Sequence, residues 1–170
     1  IRRAEYLEVS KGILISYVHN SVAEGLGRLG VLVALETGVQ NNDIKEIGKQ
    51  IAMHIAATSP KSLNIEELDP EVVERERQVL IDQAISSGKP KEIAEKMVQG
   101  RMHKFFQEVV LNEQVSVIDG ETKIKDLIKR TSLEFKTKIK IKGFKVLKLG
   151  EGVEIEESDF AAEVAATAGL

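Results

Sequence analysis

The sequence contains no cysteine and no tryptophan. Without thiols, a disulfide scaffold, thiol catalysis, zinc fingers and iron–sulfur ligation are all excluded. Two Tyr and five Phe are too few for a base-stacking surface. An excess of positive charge is also missing. The 24 basic side chains stand against 27 acidic ones, a net charge of −3, which speaks against a general nucleic-acid binder. Three histidines, His19, His54 and His103, lie far apart in sequence and form no His-x-x-x-His ligand pair. The longest apolar run, Val31 to Leu35, falls far short of the roughly 20 residues a membrane-spanning helix needs. The chain opens on Ile1-Arg2-Arg3 without an initiator Met, signal peptide or transit segment, and reads as a piece of something longer, cut on its N-terminal side.

What is present is ordinary globular material: 170 residues, 42% apolar and 30% charged, enough to bury about two thirds of the unfolded surface. Residues 12–19 alternate in the manner of a strand, 20–27 are small and polar like a hairpin loop, and 28–35 form a nearly continuous apolar strand. Asp43, with Glu46 three residues on, is the expected N-cap of a helix running to about Ala57, where Thr58-Ser59-Pro60 stops it. Ile44, Ile47, Ile51 and Ile55 make its buried stripe. Met53 and Ala57 point well away from that stripe, and His54 sits at its edge. Asp69-Pro70 begins a second helix, Gly88-Lys89-Pro90 punctuates it, and a third follows to about Val110, so that the two form an antiparallel hairpin.

Beyond the hairpin, Val115 to Ile118 is a strand candidate and 122–130 a short helix. Residues 136–149 form a strand with Lys136, Lys138, Lys140 and Lys142 on one side, where Gly143 bends it or starts another. An acidic turn at 151–159 and a final helix at 158–166 end the chain. The order of strands, turn and helix near the start recurs at the end. The expected fold is α+β: two related αβ subdomains (1–66 and 111–170), antiparallel strands with packed helices, flanking a helical hairpin (67–110).

No catalytic motif is found. The Gly25-x-Gly27-x-x-Gly30 run precedes a strand instead of linking a strand to a helix, so it is better read as a hairpin loop than as a dinucleotide fingerprint. Alternating lysines are the usual protection of a sheet edge, and the glutamates at 151–157 read as a solvated turn. No metal site and no cofactor are expected. His54 has two readings: a helix-surface histidine bordering the core, or, with Met53 and Ala57, part of an exposed partner site.

Several stretches resemble one family. They are Ile51-Ala-Met-His-Ile-Ala-Ala57 with Ser59-Pro60, Ser87-Gly-Lys-Pro-Lys-Glu-Ile-Ala-Glu-Lys-Met-Val98 with Gly100-Arg-Met102, Asp159-Phe-Ala-Ala-Glu-Val-Ala-Ala166, and Arg28-Leu-Gly-Val-Leu-Val33. Together they look like bacterial elongation factor Ts, in order along essentially the whole chain, with a 20–27 loop of the alphaproteobacterial kind. The resemblance implies a cytoplasmic guanine nucleotide exchange factor for elongation factor Tu, binding its GDP-bound and nucleotide-free forms, with a homodimer through the hairpin as a further association. Neither nucleic acid nor membrane is implied as a partner. Family members also carry an N-terminal ubiquitin-associated-like domain and a Thr-Asp-Phe-Val wedge, neither of which is in this sequence, so only the core and dimerisation region are expected. Leu29 and Gly30 match the strand contact to the partner's nucleotide domain. His54, with Met53 beside it, matches the histidine that presses near the phosphate-binding loop, and Val117 and Thr167 match contacts to the partner's third domain. The alternatives are a scaffold module without exchange activity and a small-anion enzyme using the 25–30 loop and the lysine strand.

Overall fold

The computed structural model describes residues 1–88 and 90–152, and it is built around the strand that carries the longest apolar run, Val31 to Leu35. Strand β1 (Gly12–Ala23) pairs antiparallel with β2 (Leu26–Thr37), and β2 pairs antiparallel with β3 (Ile139–Lys148), giving a three-stranded sheet in the order β1-β2-β3. Four helices complete the described fold: α1 (Asn42–Thr58), α2 (Pro70–Ser86), α3 (Lys91–Val109) and α4 (Ile124–Glu134). Single 3-10 turns occur at Ile65–Glu67 and Leu111–Glu113. No helix among the described residues is long and apolar enough to cross a membrane.

A central strand covered on both faces can be continuously apolar, and β2 is so from Val31 to Leu35. Val31, Val33 and Leu35 join the core with Ile44, Ile51 and Ile55 of α1 and Ile124 and Leu127 of α4, while Ala34 is buried on the other face. Each large side chain taken fully out of water here contributes roughly 1.5–3 kcal/mol. Gly48 lets α1 come close to β1, since a Cβ there would lie 2.6 Å from Ile15 Cγ1.

The sequence expectations differ from the structure in several places, each for a local reason. The 20–27 segment is not an eight-residue loop: both strands run into it, leaving Glu24-Gly25 as the turn, with Gly25 at φ 72°. A register shift between Ser21 and Ala23 accommodates the small polar residues that had suggested a loop. The N-cap of α1 is Asn41, not Asp43, because the Asn41 Oδ1 accepts the Ile44 N–H at 2.9 Å. Val115 to Ile118 is not a strand. Only Val115 makes a bridge, to Lys123, before the chain turns.

Strand β3 is continuous, with Lys142 as the extra residue of a bulge opposite Ala34 and Leu35. Lys140 and Lys142 are exposed along this outer strand of the described sheet, exposed Lys138 immediately precedes it, and Lys136 lies farther back in a left-handed turn. Since β3 bonds to β2, the region 111–170 contributes its described strand to the sheet begun in 1–66. The expected terminal helix at 158–166 and Thr167 lie outside the described residues.

Helices α2 and α3 pack on each other. Asp69 caps α2 through the Glu71 N–H at 2.9 Å with Pro70 in the first turn, and Gly88 at φ 66° follows its end. The base of the pair is tied back to the body where Lys61 N–H donates to Val109 O (2.8 Å) and Leu111 N–H to Ser62 O (2.9 Å). Leu111 thereby enters the core beside α1.

Candidate partner-binding face

The 3-10 turn at Leu111–Glu113 brings the chain to the edge of the isoleucine stripe of α1, with Leu111 joining the core. There it seals His54. The expectation of an exposed or edge-placed His54 is corrected: its accessibility is 0%, whereas Met53 is half-buried and Ala57 exposed. The sheet covers one face of α1, and residues 110–117 close over another.

Both ring nitrogens of His54 are occupied. Nδ1 accepts the Val117 backbone N–H at 3.2 Å, which requires the proton to sit on Nε2, and Nε2 donates to Gln114 Oε1 at 2.9 Å. Gln114, itself buried, donates from Nε2 to the Glu108 carbonyl at 2.7 Å. The Thr58 hydroxyl donates to the His54 carbonyl at 2.9 Å and lies 3.1 Å from Gln114 Oε1. Burial holds the imidazole below its ordinary value of 6.5, and the Gln114 hydrogen bond opposes that shift. A neutral ring with both nitrogens engaged has no free base to offer a substrate.

The chain after Gln114 is closed by its own hydrogen bonds. Ser116 N–H donates to Thr122 O and Gly120 N–H to Ser116 O, each at 2.8 Å, and Ile118 N–H donates to Ser116 Oγ at 3.2 Å. The Asp119 carboxylate accepts from the amides of Glu121 (3.1 Å) and Thr122 (3.0 Å). Hydrogen bonds from Thr122, then from Glu121, bring that carboxyl down to about 2. Glu113 is held between Lys123 (3.1 Å) and Lys125 (2.7 Å), which lower its pKa, the Lys125 bond most. With its polar groups satisfied inward, the loop turns Val115, Val117 and Ile118 outward, Val117 at 50% exposure.

Leu29 and Gly30 occupy the first half of β2, opposite His19 and Val18 on one side and Lys148 and Leu147 on the other. Leu29 is half-buried against the core, and a Cβ at Gly30 would meet nothing within 4 Å. The structure thus joins His54 to Val117 directly, and among the described residues no side-chain hydrogen bond links either to Leu29 or Gly30. The sequence patterns give Gln114 and Ser116 no role and mark Thr58 only as part of the helix stop. The Asp119-Gly120 pair signals the tight turn, but nothing local marks Gln114 as the partner of a histidine 60 residues earlier.

Residues 1–151 match the family model described as Elongation factor TS. The chain belongs to this family. Elongation factor Ts of Rhodospirillum centenum is 52% identical over 169 residues, which are 99% of this chain and 55% of that protein. The elongation factors Ts of Gluconobacter oxydans and Agrobacterium fabrum are also 52% identical, over 169 and 168 residues, in each case 99% of this chain and 54% of the relative. The chain therefore spans about half the length of the curated elongation factors Ts it matches.

Proposed function

We propose that this chain is the part of a guanine nucleotide exchange factor that docks on elongation factor Tu and promotes GDP release during translation elongation in the bacterial cytoplasm. The family match over residues 1–151 carries this reading. The candidate face supports it. The 115–118 loop is closed by its own hydrogen bonds and bears exposed apolar side chains, Gly30 of β2 leaves space for an incoming side chain, and the buried histidine has no free nitrogen.

Exchange requires no bond making. A factor that binds the nucleotide-free partner more tightly than the GDP-bound one must, by linkage, weaken GDP by the same ratio. GDP is held on its partner by backbone N–H groups, a lysine and Mg²⁺, so a small displacement of that cradle sacrifices several charge-assisted bonds of about 1.5–3 kcal/mol each. Leu29, Gly30, Met53 and Val117 are assigned as contact residues, with Thr167 as a further one. His54 has no surface to offer in this conformation.

Titrating the chain against nucleotide-free elongation factor Tu tests the reading. Saturable one-to-one binding, with accelerated release of a fluorescent GDP analogue, is expected. Absence of binding by the chain would sink it.

A second reading, a dimerisation module spanning 67–110, is favoured by one observation. Ile85 of α2 is exposed and lines, with Ile81, Ala94, Val98 and Phe106, an apolar groove formed by α2 and α3. Sedimentation equilibrium across a concentration series separates a dimer from a monomer.

A further inference from the structure

We propose that His54 and Gln114 are positioning residues for partner binding: they act on elongation factor Tu through Val117, whose amide the imidazole holds in place. This inference rests on the exchange-factor reading given above. Among the amides of residues 116–118 and 120–122, five find acceptors inside the loop itself, in Thr122 O, Ser116 Oγ, Ser116 O and Asp119 Oδ1. The Val117 amide alone reaches across to another element, donating to His54 Nδ1 at 3.2 Å. The internal bonds fix the loop's shape. The bond to His54 fixes where that shape stands on α1.

Gln114 completes the arrangement from the other side. Its amide nitrogen is anchored on the Glu108 carbonyl (2.7 Å), and its oxygen takes the Nε2 proton at 2.9 Å. That sets the tautomer and leaves Nδ1 free to accept. Gln114 also bonds through its backbone, where the Ile124 N–H donates to the Gln114 carbonyl at 3.0 Å, so the same residue ties the loop to the start of α4. The result is a preformed presentation of Val115, Val117 and Ile118, which spares the partner the entropy of ordering the loop. A histidine sealed at 0% accessibility can influence a partner by this route without touching it.

Two substitutions of one side chain separate this role from simple packing. In His54→Asn the Oδ1 atom can occupy the place of Nδ1 and still accept the Val117 amide. In His54→Gln the polar atoms sit farther out, where they can reach Gln114 but not that amide. Loss of the one hydrogen bond should weaken binding to nucleotide-free elongation factor Tu roughly five- to tenfold in His54→Gln and His54→Ala, and His54→Asn should recover most of the loss. Equal weakening in all three variants overturns the proposal, because it would point to lost volume or direct contact.

The unsubstituted chain supplies a readout independent of folding defects. An ¹⁵N–¹⁵N coupling across the hydrogen bond between His54 Nδ1 and the Val117 amide, with slow exchange of that amide, is expected. Absence of the coupling with fast exchange overturns the proposal in the native protein. A chain that shows the coupling yet does not bind elongation factor Tu overturns the exchange-factor reading, and the docking role of Val117 with it. The coupling therefore tells the two failures apart.

Discussion

Helices α1 and α2 are each 17 residues long, yet six residues of α1 are buried and only Leu80 and Ala84 of α2 are. Helix α3, with 19 residues, buries Met102 alone. The difference lies in what each helix meets. α1 lies between the sheet and the segment leading out of α3, so its isoleucine stripe, Gly48, Ala52 and His54 are all covered. α2 and α3 meet chiefly each other, and a two-helix contact can cover only a narrow seam. Sequence periodicity looks similar in the two regions, but the body buries far more apolar side chains than the hairpin. Local opening free energies should follow the same order.

The largest effect that would test this contrast is Ile55→Ala in α1. A fully buried isoleucine replaced by alanine loses transfer energy and leaves a cavity, a cost of about 2–5 kcal/mol in urea or thermal unfolding. A loss below about 1 kcal/mol would mean that the body is not packed as described. Two glycines give a sharper version, because the expected signs are opposite. Gly48→Ala places a methyl group 2.6 Å from Ile15 Cγ1 and should destabilise by about 1–3 kcal/mol. Gly100→Ala in α3 meets nothing within 4 Å and should stabilise by roughly 0.5–1 kcal/mol through helix propensity. Equal signs from the two would erase the comparison.

What could be read from the residues follows the same division. The four-isoleucine stripe of α1, the apolar β2 and the Pro/Gly punctuation of the hairpin are local patterns, and the elements they specify are present with shifted ends. The ends shift where a side chain competes for a cap, as Asn41 does with Asp43, or where small residues such as Asn20 and Ser21 sustain a strand through a bulge. His54 was not legible in this way. A helical wheel places it at the edge of the stripe but carries no information about a second covering layer. That layer comes from Gln114 and Val117, more than a full hairpin later in the chain. Val115 to Ile118 alternates like a strand, yet it is Ser116 that turns inward, to bond within the loop. The matched contact positions Leu29, Gly30 and Val117 came from family resemblance, since neither spacing nor composition distinguishes them.

A gentler probe of the body is pH. Burial holds the folded His54 below 6.5, so between that value and the folded pKa the unfolded chain binds more protons than the folded one. The contribution is fully present above pH 6.5 and is lost as pH falls from there toward the folded pKa. Glu113 and Asp119, the carboxylates on the loop side, are both shifted downward and stay ionised at the start of that fall. The unfolding midpoint should therefore drop on acidification from pH 7 to pH 5, and the slope should diminish in His54→Asn. An identical slope in the two proteins would show that His54 is not the group responsible.

The smallest expected effect belongs to the hairpin. Ile85 is 69% exposed on α2, so Ile85→Ser removes little buried surface and should change the stability of a monomer by no more than about 0.5 kcal/mol. The measurement gains force when repeated across protein concentrations. If a second copy covers that flank, the unsubstituted chain gains stability with concentration by mass action, and Ile85→Ser abolishes the gain. If the flank faces water, both proteins unfold at the same midpoint at every concentration. A loss above about 2 kcal/mol independent of concentration would require Ile85 to be buried within one molecule, and the contrast between a densely covered α1 and a sparsely covered hairpin would fail at its weakest point.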